Sequence, residues 1–314
     1  MSNQPALRAD PPSLPTGYHV KLETVTGSGD DLQLRSLLDR VQYHDPQGDA
    51  ERAGISPASW PLFGLLWPSG QVLAGVMATY AIAGKRVLEL GCGLGLASLV
   101  VHRRGGDVTA SDCHPLAALF LSENLELNDL PVMKYSAAHW SRANPLLGRF
   151  DVIIGSDVLY DREQPEALSQ FIDRHSEPGV EVLIVDPNRG NQASFSRKMG
   201  VLGYSHQARQ IRCLPDGMAF RGQLHRYRRS AFMASRAPAP HGDVPAGGDH
   251  PEDRVGDAAD PVGCIDKPGK HGGHHEIEVD SVDRDQAKDR SDQHRLDQVE
   301  AVHQPADDHA IDRR

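Results

Sequence analysis

The chain has 314 residues, a formal net charge of −10 and 39% apolar residues, which is typical of a globular protein with one or two domains. The charge is uneven, because residues 236–314 contain 19 acidic and 10 basic residues and no Phe, Trp or Tyr. Such a stretch has few large apolar side chains to bury, so we expect 236–314 to be a disordered, acidic, His-rich tail and the Pro-rich residues 1–16 a disordered arm. Residues 17–235 are expected to form one domain.

Charge and hydropathy argue against two classes of partner. Residues 1–235 are nearly neutral, so no electrostatic footprint for nucleic acid is visible. The densest basic run, Arg226, Arg228 and Arg229, is expected to lie at a solvated strand edge. The stretch from 55 to 84 has no charged residue, but prolines and glycines interrupt it. A buried loop and helix therefore fit this stretch better than a membrane span.

The cysteine and histidine positions bear on location and metal binding. The chain has no visible secretory signal and its cysteines have no CxxC spacing, so we expect reduced thiols and a cytoplasmic location. Histidines of the tail are expected to bind metals adventitiously, and no metal site is predicted. The residues concerned are Cys92, Cys113, Cys213 and Cys264, and His271, His274 and His275.

The predicted elements begin with a β-hairpin between Tyr18 and Leu38, around a Gly-Ser-Gly-Asp-Asp turn. Ser69 is then expected to cap a helix with apolar residues at helical spacing. From Arg86 onward, strands and helices alternate. The predicted strands are 86–90, 107–111, 132–136, 150–155 and 180–185, and the predicted helices are 97–104, 115–128 and 163–175. These strands are apolar on successive residues, which indicates a mostly parallel sheet covered on both faces, with its ligand site at the carboxyl ends of the strands.

The strongest functional signal is the segment VLELGCGLGLASLV. Gly91, Gly93 and Gly95 directly follow a predicted strand and open a helix, so backbone N–H groups at the helix start are available to a ligand. Asp112 ends the next strand, where an acid can accept both hydroxyls of a ribose. Glu89 stands just before the loop. A carboxylate there disfavours a pyrophosphate and favours a ligand that carries an amino group and a sulfonium.

These residues resemble the cofactor loop of class I, seven-β-strand methyltransferases that depend on S-adenosylmethionine. Two further segments resemble the protein-lysine methyltransferase family known as methyltransferase family 16. They are FDVIIGSDVLYD, whose Asp-x-x-Tyr is Asp157 and Tyr160, and the tryptophan segment WPSGQVLAGVM at 67–77. The resemblance covers residues 18–230. It implies a Rossmann-like, doubly wound, mostly parallel seven-stranded sheet with an N-terminal β-hairpin, S-adenosyl-L-methionine as cofactor and a lysine of a protein as methyl acceptor.

The resemblance also implies roles for individual residues. Asp157 and Tyr160 are expected to be catalytic, with Asp157 orienting the acceptor amine. His139 stands where many relatives have an acid, so this chain departs from the family at an expected contact to adenine. The residues expected to bind the cofactor are Trp67, Glu89, Gly91, Cys92, Gly93, Gly95, Asp112, Trp140 and Ser156.

Several positions have an alternative interpretation. Asp157 is alternatively the cap of a helix that begins near Arg162, and Tyr160 is then a core residue. Arg189, in the DPNRG segment, either meets an acidic substrate or satisfies Asp186. Trp60 is expected to pack in the core. Cys92 and Cys113 are discounted as nucleophiles, because small residues in a glycine loop usually serve to leave space.

Alternatives to a protein-lysine methyltransferase also stay open. Fold and cofactor loop do not define the acceptor, so a small-molecule N- or O-methyltransferase is one alternative. A catalytically silent protein that binds the cofactor and acts through interactions is another. An adenine-N6 enzyme is disfavoured, because it would carry prolines where the sequence reads SDVLY. No nucleic-acid or membrane partner is expected, and the oligomeric state is left open.

Overall fold

The computed structural model describes residues 17–230. The predicted arm at 1–16 and the predicted tail at 236–314 lie outside the described residues. Within the described part, a two-stranded antiparallel hairpin precedes a seven-stranded, mostly parallel sheet with helices between its strands. The predicted α/β class, the seven strands and the N-terminal hairpin are confirmed.

Helices and strands alternate along most of the chain. The helices are α1 (Asp49–Arg52), α2 (Pro68–Thr79), α3 (Leu96–Arg103), α4 (Ala117–Leu127), α5 (Gln164–Arg174) and α6 (Gln192–Val201), with a 3-10 turn at Trp60–Gly64. The strands are β1 (Val20–Val25), β2 (Leu32–Leu37), β3 (Arg86–Leu90), β4 (Asp107–Asp112), β5 (Lys134–Ala137), β6 (Phe150–Ser156), β7 (Ser176–Asp186), β8 (Ser205–Cys213) and β9 (Ala219–Arg228).

The strand order of the large sheet, β5-β4-β3-β6-β7-β9-β8, determines where a ligand site forms. Strands β3 to β7 are parallel, and β9 and β8 add an antiparallel margin. The register places Leu90 at the end of β3 beside Ser111 of β4 and Gly155 of β6. The turns after β3, β4, β6 and β7 therefore meet at one edge of the sheet, which we call the carboxyl edge.

Both faces of the sheet are covered by apolar layers. Neighbouring residues of β3 show this directly, because Val87 belongs to the layer formed with α2, α3, α4 and the hairpin, whereas Leu88 belongs to the layer formed with α5 and α6. Both side chains are fully buried. Trp60 lies in the first layer with 1% of its surface exposed, as expected of a packing residue.

Some predicted boundaries are wrong. The strand predicted at 132–136 runs from Lys134 to Ala137, and Val132 is 92% exposed in the turn before it. Ser69 does not cap α2: Trp67 occupies the N-cap position, Pro68 opens the helix and Ser69 is buried. Proline at the first helical position has no N–H to leave unpaired, so this helix begins without a side-chain cap.

The expectation that Arg226, Arg228 and Arg229 lie at a solvated edge is also wrong. Strand β9 lies between β7 and β8, so it is an interior strand. Its register places Arg228 opposite Glu181 of β7, and Glu181 accepts ion pairs from Arg226 at 3.1 Å and from Arg228 at 2.7 Å. Arg229 pairs with Asp173 of α5.

The uncharged stretch includes a segment, Trp60–Thr79, whose length and composition would allow it to cross a membrane. In the structure the 3-10 turn and α2 divide this segment, and half of it is buried. The 12 residues of α2 span about 18 Å at the helical rise of 1.5 Å, which is less than the ~30 Å of a hydrocarbon core. Helix α2 packs against α3, β6 and β7, so the predicted buried loop and helix is confirmed.

Candidate functional site

The glycine loop, Gly91–Gly95, follows β3 at the carboxyl edge and requires glycine for two reasons. Gly91, Gly93 and Gly95 have φ of 59°, 52° and 75°, in the left-handed region that L side chains disfavour. A methyl group added to Gly93 would also lie 2.6 Å from the carbonyl oxygen of Phe63. The loop thus has a close backbone neighbour on one side, and hydrogen bonds from the N–H groups of Cys92, Gly93 and Gly95 fix its path into α3.

Asp112 ends β4 beside the glycine loop, and 9% of its surface is exposed. Its Oδ2 accepts the N–H of Gly93 at 2.9 Å, and its Oδ1 accepts the N–H of His114 at 2.8 Å. Burial raises the pKa of this carboxyl group, and the backbone N–H groups oppose that rise. A carboxylate has about four lone-pair positions, so an acceptor position remains for a ligand beside those that face the N–H groups of Gly93, His114 and Cys113.

Glu89 lies further inside than the sequence analysis expects for a residue beside the ligand. It is 3% exposed, and its Oε2 accepts the N–H of Ser98 at 2.8 Å and the hydroxyl of the same residue. Burial raises the pKa of Glu89 to about 7. The carboxyl group therefore anchors the first turn of α3, and through it the end of the glycine loop.

The cysteines near the loop lack the chemistry of a nucleophile. The N–H of Cys92 donates to the carbonyl of Ser111 at 3.0 Å, and burial raises the pKa of its thiol. Burial and the Asp112 carboxylate raise the pKa of Cys113 to about 12, so its thiolate is scarce at neutral pH.

The expectation of reduced thiols holds for two of the cysteines. Cys92 and Cys113 have free thiols. Cys213 is buried at the end of β8. Cys264 and the histidines of the tail lie outside the described residues.

Trp67, Trp140 and Ser156 are also at the carboxyl edge. Trp67 immediately precedes α2, and its indole N–H donates to the carbonyl of Leu62 at 2.8 Å. The ring of Trp140 lies 3.5 Å from the position of a methyl group on Gly91. Ser156 ends β6, facing the first turn of α2. The structure thus brings Trp140 to the glycine loop and Ser156 to the helix that Trp67 opens.

His139, where the resemblance places an acid in many relatives, has a local partner. Its Nδ1 forms a 2.8 Å hydrogen bond with the hydroxyl of Ser141. The neighbouring Trp140 contributes its backbone carbonyl to Arg174 and leaves its indole ring at the glycine loop. An aromatic face is therefore present where a carboxylate is missing.

The DVLY turn, Asp157–Tyr160, follows β6 at the same edge. Asp157 has a φ of 56° and donates its N–H to the carbonyl of Val185 at 2.9 Å. Its carboxylate accepts two hydrogen bonds from the guanidinium of Arg189, at Nε and, at 2.9 Å, at Nη2. Helix α5 begins at Gln164 without a side-chain cap, so the alternative in which Asp157 caps that helix is wrong.

Tyr160 and Arg189 also differ from their alternative interpretations. Tyr160 is 48% exposed and so is not a core residue. The backbone N–H of Arg189 donates to Asp186 at 2.6 Å, but its guanidinium pairs with Asp157. Sequence reasoning missed this pair, because the DPNRG segment directly after a buried strand places Arg189 at the carboxyl edge but does not identify Asp157 as its partner.

A cavity of about 870 Å³ opens beside the loop that carries Arg189. Pro187 and Asn188 of that loop form one wall, and β8 and β9 form the others. Its charged lining side chains are arginines. The residues from β8 and β9 are Gln210, Arg212, Phe220, Arg221 and Gln223.

Comparison with known proteins agrees with this arrangement. A family model described as lysine methyltransferase matches residues 63–199. The electron transfer flavoprotein beta subunit lysine methyltransferase of Danio rerio is 31% identical over 184 residues, which cover 52% of this chain and 70% of the relative. This chain belongs to the lysine methyltransferase family.

Two further relatives extend the comparison of this lysine methyltransferase family member. The mouse (Mus musculus) protein of the same name as the Danio rerio relative is 31% identical over 175 residues, covering 52% of this chain and 65% of that relative. The calmodulin-lysine N-methyltransferase of Arabidopsis thaliana is 31% identical over 137 residues, covering 40% of this chain and 45% of the relative. The chain thus spans slightly less than two thirds of the mouse relative.

S-adenosyl-L-methionine is the cofactor of this lysine methyltransferase family member, and the residues at the carboxyl edge fit it. Positive φ at Gly91 and Gly93 keeps the loop backbone close to Val158, Trp140 and Phe63, where no side chain fits. Asp112 presents a partly open carboxylate one strand away, and Trp140 presents an aromatic ring. These are the chemical groups that a ribose and an adenine bind.

Proposed function

We propose that this chain is a protein-lysine N-methyltransferase. One observation carries the proposal: a methyl group on Gly91 would lie 3.0 Å from Cγ1 of Val158, the second residue of the DVLY turn. The glycine loop and the turn with Asp157 and Tyr160 are therefore in contact. This is the juxtaposition that a methyl transfer needs, because the donor and the acceptor must meet in line.

The cofactor would be held by groups from four turns of the carboxyl edge. Gly91, Cys92 and Gly93 would contact it through the backbone, and Asp112 would accept the ribose hydroxyls. The ring of Trp140 would pack on adenine, while Ser156 and Trp67 would border the methionine end. Glu89 and Gly95 would act by fixing the start of α3.

When bound, S-adenosylmethionine supplies the methyl group: its S–CH₃ bond breaks as the N–CH₃ bond forms, and sulfur retains the electron pair. The chain need not supply a nucleophile, but it must present an uncharged amine. A solvent-exposed lysine has a pKa of ~10.4, so about one amine in a thousand is neutral near pH 7.4, a cost of about 4 kcal/mol. The ammonium proton therefore leaves to water before the transfer, and the product is a methylammonium that carries the positive charge the sulfonium has lost.

Asp157 and Tyr160 would prepare the acceptor amine. The half-buried ring of Trp67 would disfavour the ammonium by limiting the access of water, and the exposed ring of Tyr160 would border the entrance for the lysine side chain. Asp157 would accept the hydrogens of the amine, which leaves the nitrogen lone pair directed at the methyl group.

The cavity beside Asn188 would receive the polypeptide that carries the lysine. It lies next to the loop that carries Arg189, the partner of Asp157. Arg221 contributes a positive charge to its lining, which favours acidic residues near the methylated lysine.

Tritiated S-adenosylmethionine tests the proposal. The chain is incubated with electron transfer flavoprotein beta subunit, with calmodulin and with a cell lysate, and the labelled products are separated by size and class. Label on lysine in a protein band, absent with Asp157→Ala, supports the proposal. Label confined to small molecules or nucleic acid, or no label despite binding of S-adenosylhomocysteine, contradicts it.

A further inference from the structure

The ion pair between Asp157 and Arg189 joins the turns after β6 and β7. The guanidinium faces both carboxylate oxygens, a bidentate arrangement that only arginine forms. The Asp157 side chain is 10% exposed and that of Arg189 is 39% exposed, so the pair lies at the rim of the site. Asn191 adds a hydrogen bond of 2.9 Å to the carbonyl of Leu159. The DVLY turn is thereby fixed to the loop that follows β7.

This pair resolves a conflict in the role proposed for Asp157. An unpaired carboxylate next to a lysine amine favours the ammonium, which cannot accept a methyl group. Arg189 carries a positive charge that it does not lose in a protein. The pair is neutral overall, and the carboxylate keeps lone-pair positions beyond the two that accept from Arg189.

We propose that Arg189 is a positioning residue that neutralises Asp157, so that Asp157 holds the acceptor amine without stabilising its charged form. The inference rests on the proposed lysine methylation. Arg189 acts through Asp157 and does not itself touch the reacting atoms.

The other ionisable groups around the pair are few and can be named. Asp186 of β7 faces both partners: its Oδ1 accepts the Arg189 N–H, and its Oδ2 has no hydrogen-bond partner among the described residues. Tyr160 lies close enough to interact electrostatically with Arg189. Tyr160 in turn interacts electrostatically with Asp112 and Cys113 at the end of β4 and with its neighbour Asp161. All of these groups are unchanged in the variants proposed below.

The test is the pH dependence of kcat/KM between pH 6.5 and 9.5, measured with tritiated S-adenosylmethionine and electron transfer flavoprotein beta subunit or calmodulin, whichever the wild-type chain labels more. Arg189→Gln leaves Asp157 unpaired. We therefore expect the acidic limb of the kcat/KM profile of this variant to shift to higher pH by about one unit. Its rate near pH 7 should fall about tenfold and recover towards the wild-type rate at pH 9.5. Arg189→Lys keeps the charge and should keep the wild-type profile at a lower rate.

The double variant Asp157→Asn with Arg189→Gln restores a neutral pair, and its profile should return to the pH range of the wild type at a reduced rate. Arg228→Gln is the matched control, because it removes a guanidinium from Glu181, which lies in the middle of β7 and away from the carboxyl edge, and should leave the profile unchanged. Calorimetry with S-adenosylhomocysteine and thermal denaturation should give values for Arg189→Gln close to those of the wild type.

A rate loss in Arg189→Gln that is uniform across pH would overturn the inference and assign Arg189 a purely structural role. That result would leave the proposed function intact, because the wild type would still label lysine. Failure of the wild-type chain to label lysine in either protein or in lysate would overturn both. A cofactor-binding defect in Arg189→Gln would likewise overturn the inference, since it would place Arg189 on the donor side.

Discussion

The glycine loop and the DVLY turn lie in contact at one sheet edge, yet different forces hold them in place. Backbone groups position the glycine loop: the N–H of Gly93 donates to Asp112 and the N–H of Cys92 to Ser111. The DVLY turn depends on a side-chain ion pair between Asp157 and Arg189. Substitutions in the loop should therefore cost stability and cofactor affinity together, whereas substitutions in the turn should affect turnover alone.

The two regions also differ in burial. Glu89 and Asp112, beside the glycine loop, are at most 9% exposed, whereas Tyr160 and Arg189 are open to solvent. A buried loop that binds one fixed cofactor gains from rigidity. A turn that must admit and release a polypeptide side chain gains from access to solvent.

The largest effect is expected for Gly93→Ala. The substitution introduces strain at a φ of 52° and a contact of 2.6 Å with the Phe63 carbonyl. Together these should lower the free energy of unfolding by about 3 kcal/mol. The matched control is Gly105→Ala, which has a φ of 74° and open space around the new methyl group, and should lose about 1 kcal/mol. Urea denaturation measures the free energy of unfolding of both variants. If both lose the same amount, the contact with the Phe63 carbonyl does not destabilise the glycine loop.

Asp157→Ala should separate turnover from binding. Loss of the group that orients the acceptor should lower methyl transfer about 100-fold, because alignment contributes several kcal/mol to the barrier. Affinity for S-adenosylhomocysteine should stay within a few fold, since the glycine loop does not depend on this side chain. Kinetics measures the turnover, calorimetry the affinity for S-adenosylhomocysteine and thermal denaturation the stability of this variant. Normal turnover combined with a lower melting temperature would return Asp157 to a structural role.

Sequence patterns predict the first region well because its determinants are local. Strand β3, the glycine loop and α3 follow one another within 18 residues, and each glycine is required by backbone geometry that a Gly-x-Gly-x-Gly spacing encodes. The acid at the end of the next strand follows from the regular β-α-β connection. Its hydrogen bond to Gly93 follows from the same geometry.

The second region could not be predicted to the same depth. Asp157 and Arg189 are 32 residues apart, and their contact depends on the alignment of β6 with β7. The surroundings of the arginines in β9 could not be predicted for the same reason, because only the strand register shows that Arg228 lies opposite Glu181. Long-range side-chain pairs of this kind leave no periodic pattern in a single sequence.

Asp112→Ala should weaken cofactor binding more moderately. It removes one or two charge-assisted hydrogen bonds to the ribose, on the order of 1.5 to 3 kcal/mol each, and releases the N–H of Gly93. Calorimetry with S-adenosylhomocysteine measures the change. Asp107→Ala is the control, because Asp107 pairs with Lys134 at the opposite end of β4. If Asp112→Ala binds as tightly as this control, Asp112 is not part of the cofactor site.

The smallest effect concerns Glu89 and pH. Burial raises its pKa to about 7 in the folded protein, above the value near 4.5 of an exposed glutamate, so the folded state binds more protons than the unfolded state between these values. Stability should therefore fall as pH rises from about 5 to about 7. Glu89→Gln keeps an acceptor for Ser98 but does not titrate, so its stability should increasingly exceed that of the wild type as pH rises through 7.

Urea denaturation of both proteins from pH 5 to 8 measures this difference. Glu166→Gln is a suitable control, because Lys198 lowers the pKa of Glu166, and stability from that group is lost only as pH falls below the range tested. The Glu166→Gln curve should therefore run parallel to the wild-type curve, while the Glu89→Gln curve should diverge from it towards high pH. If the Glu89→Gln curve also runs parallel, Glu89 is ionised throughout the range, and α3 is anchored by a buried charge.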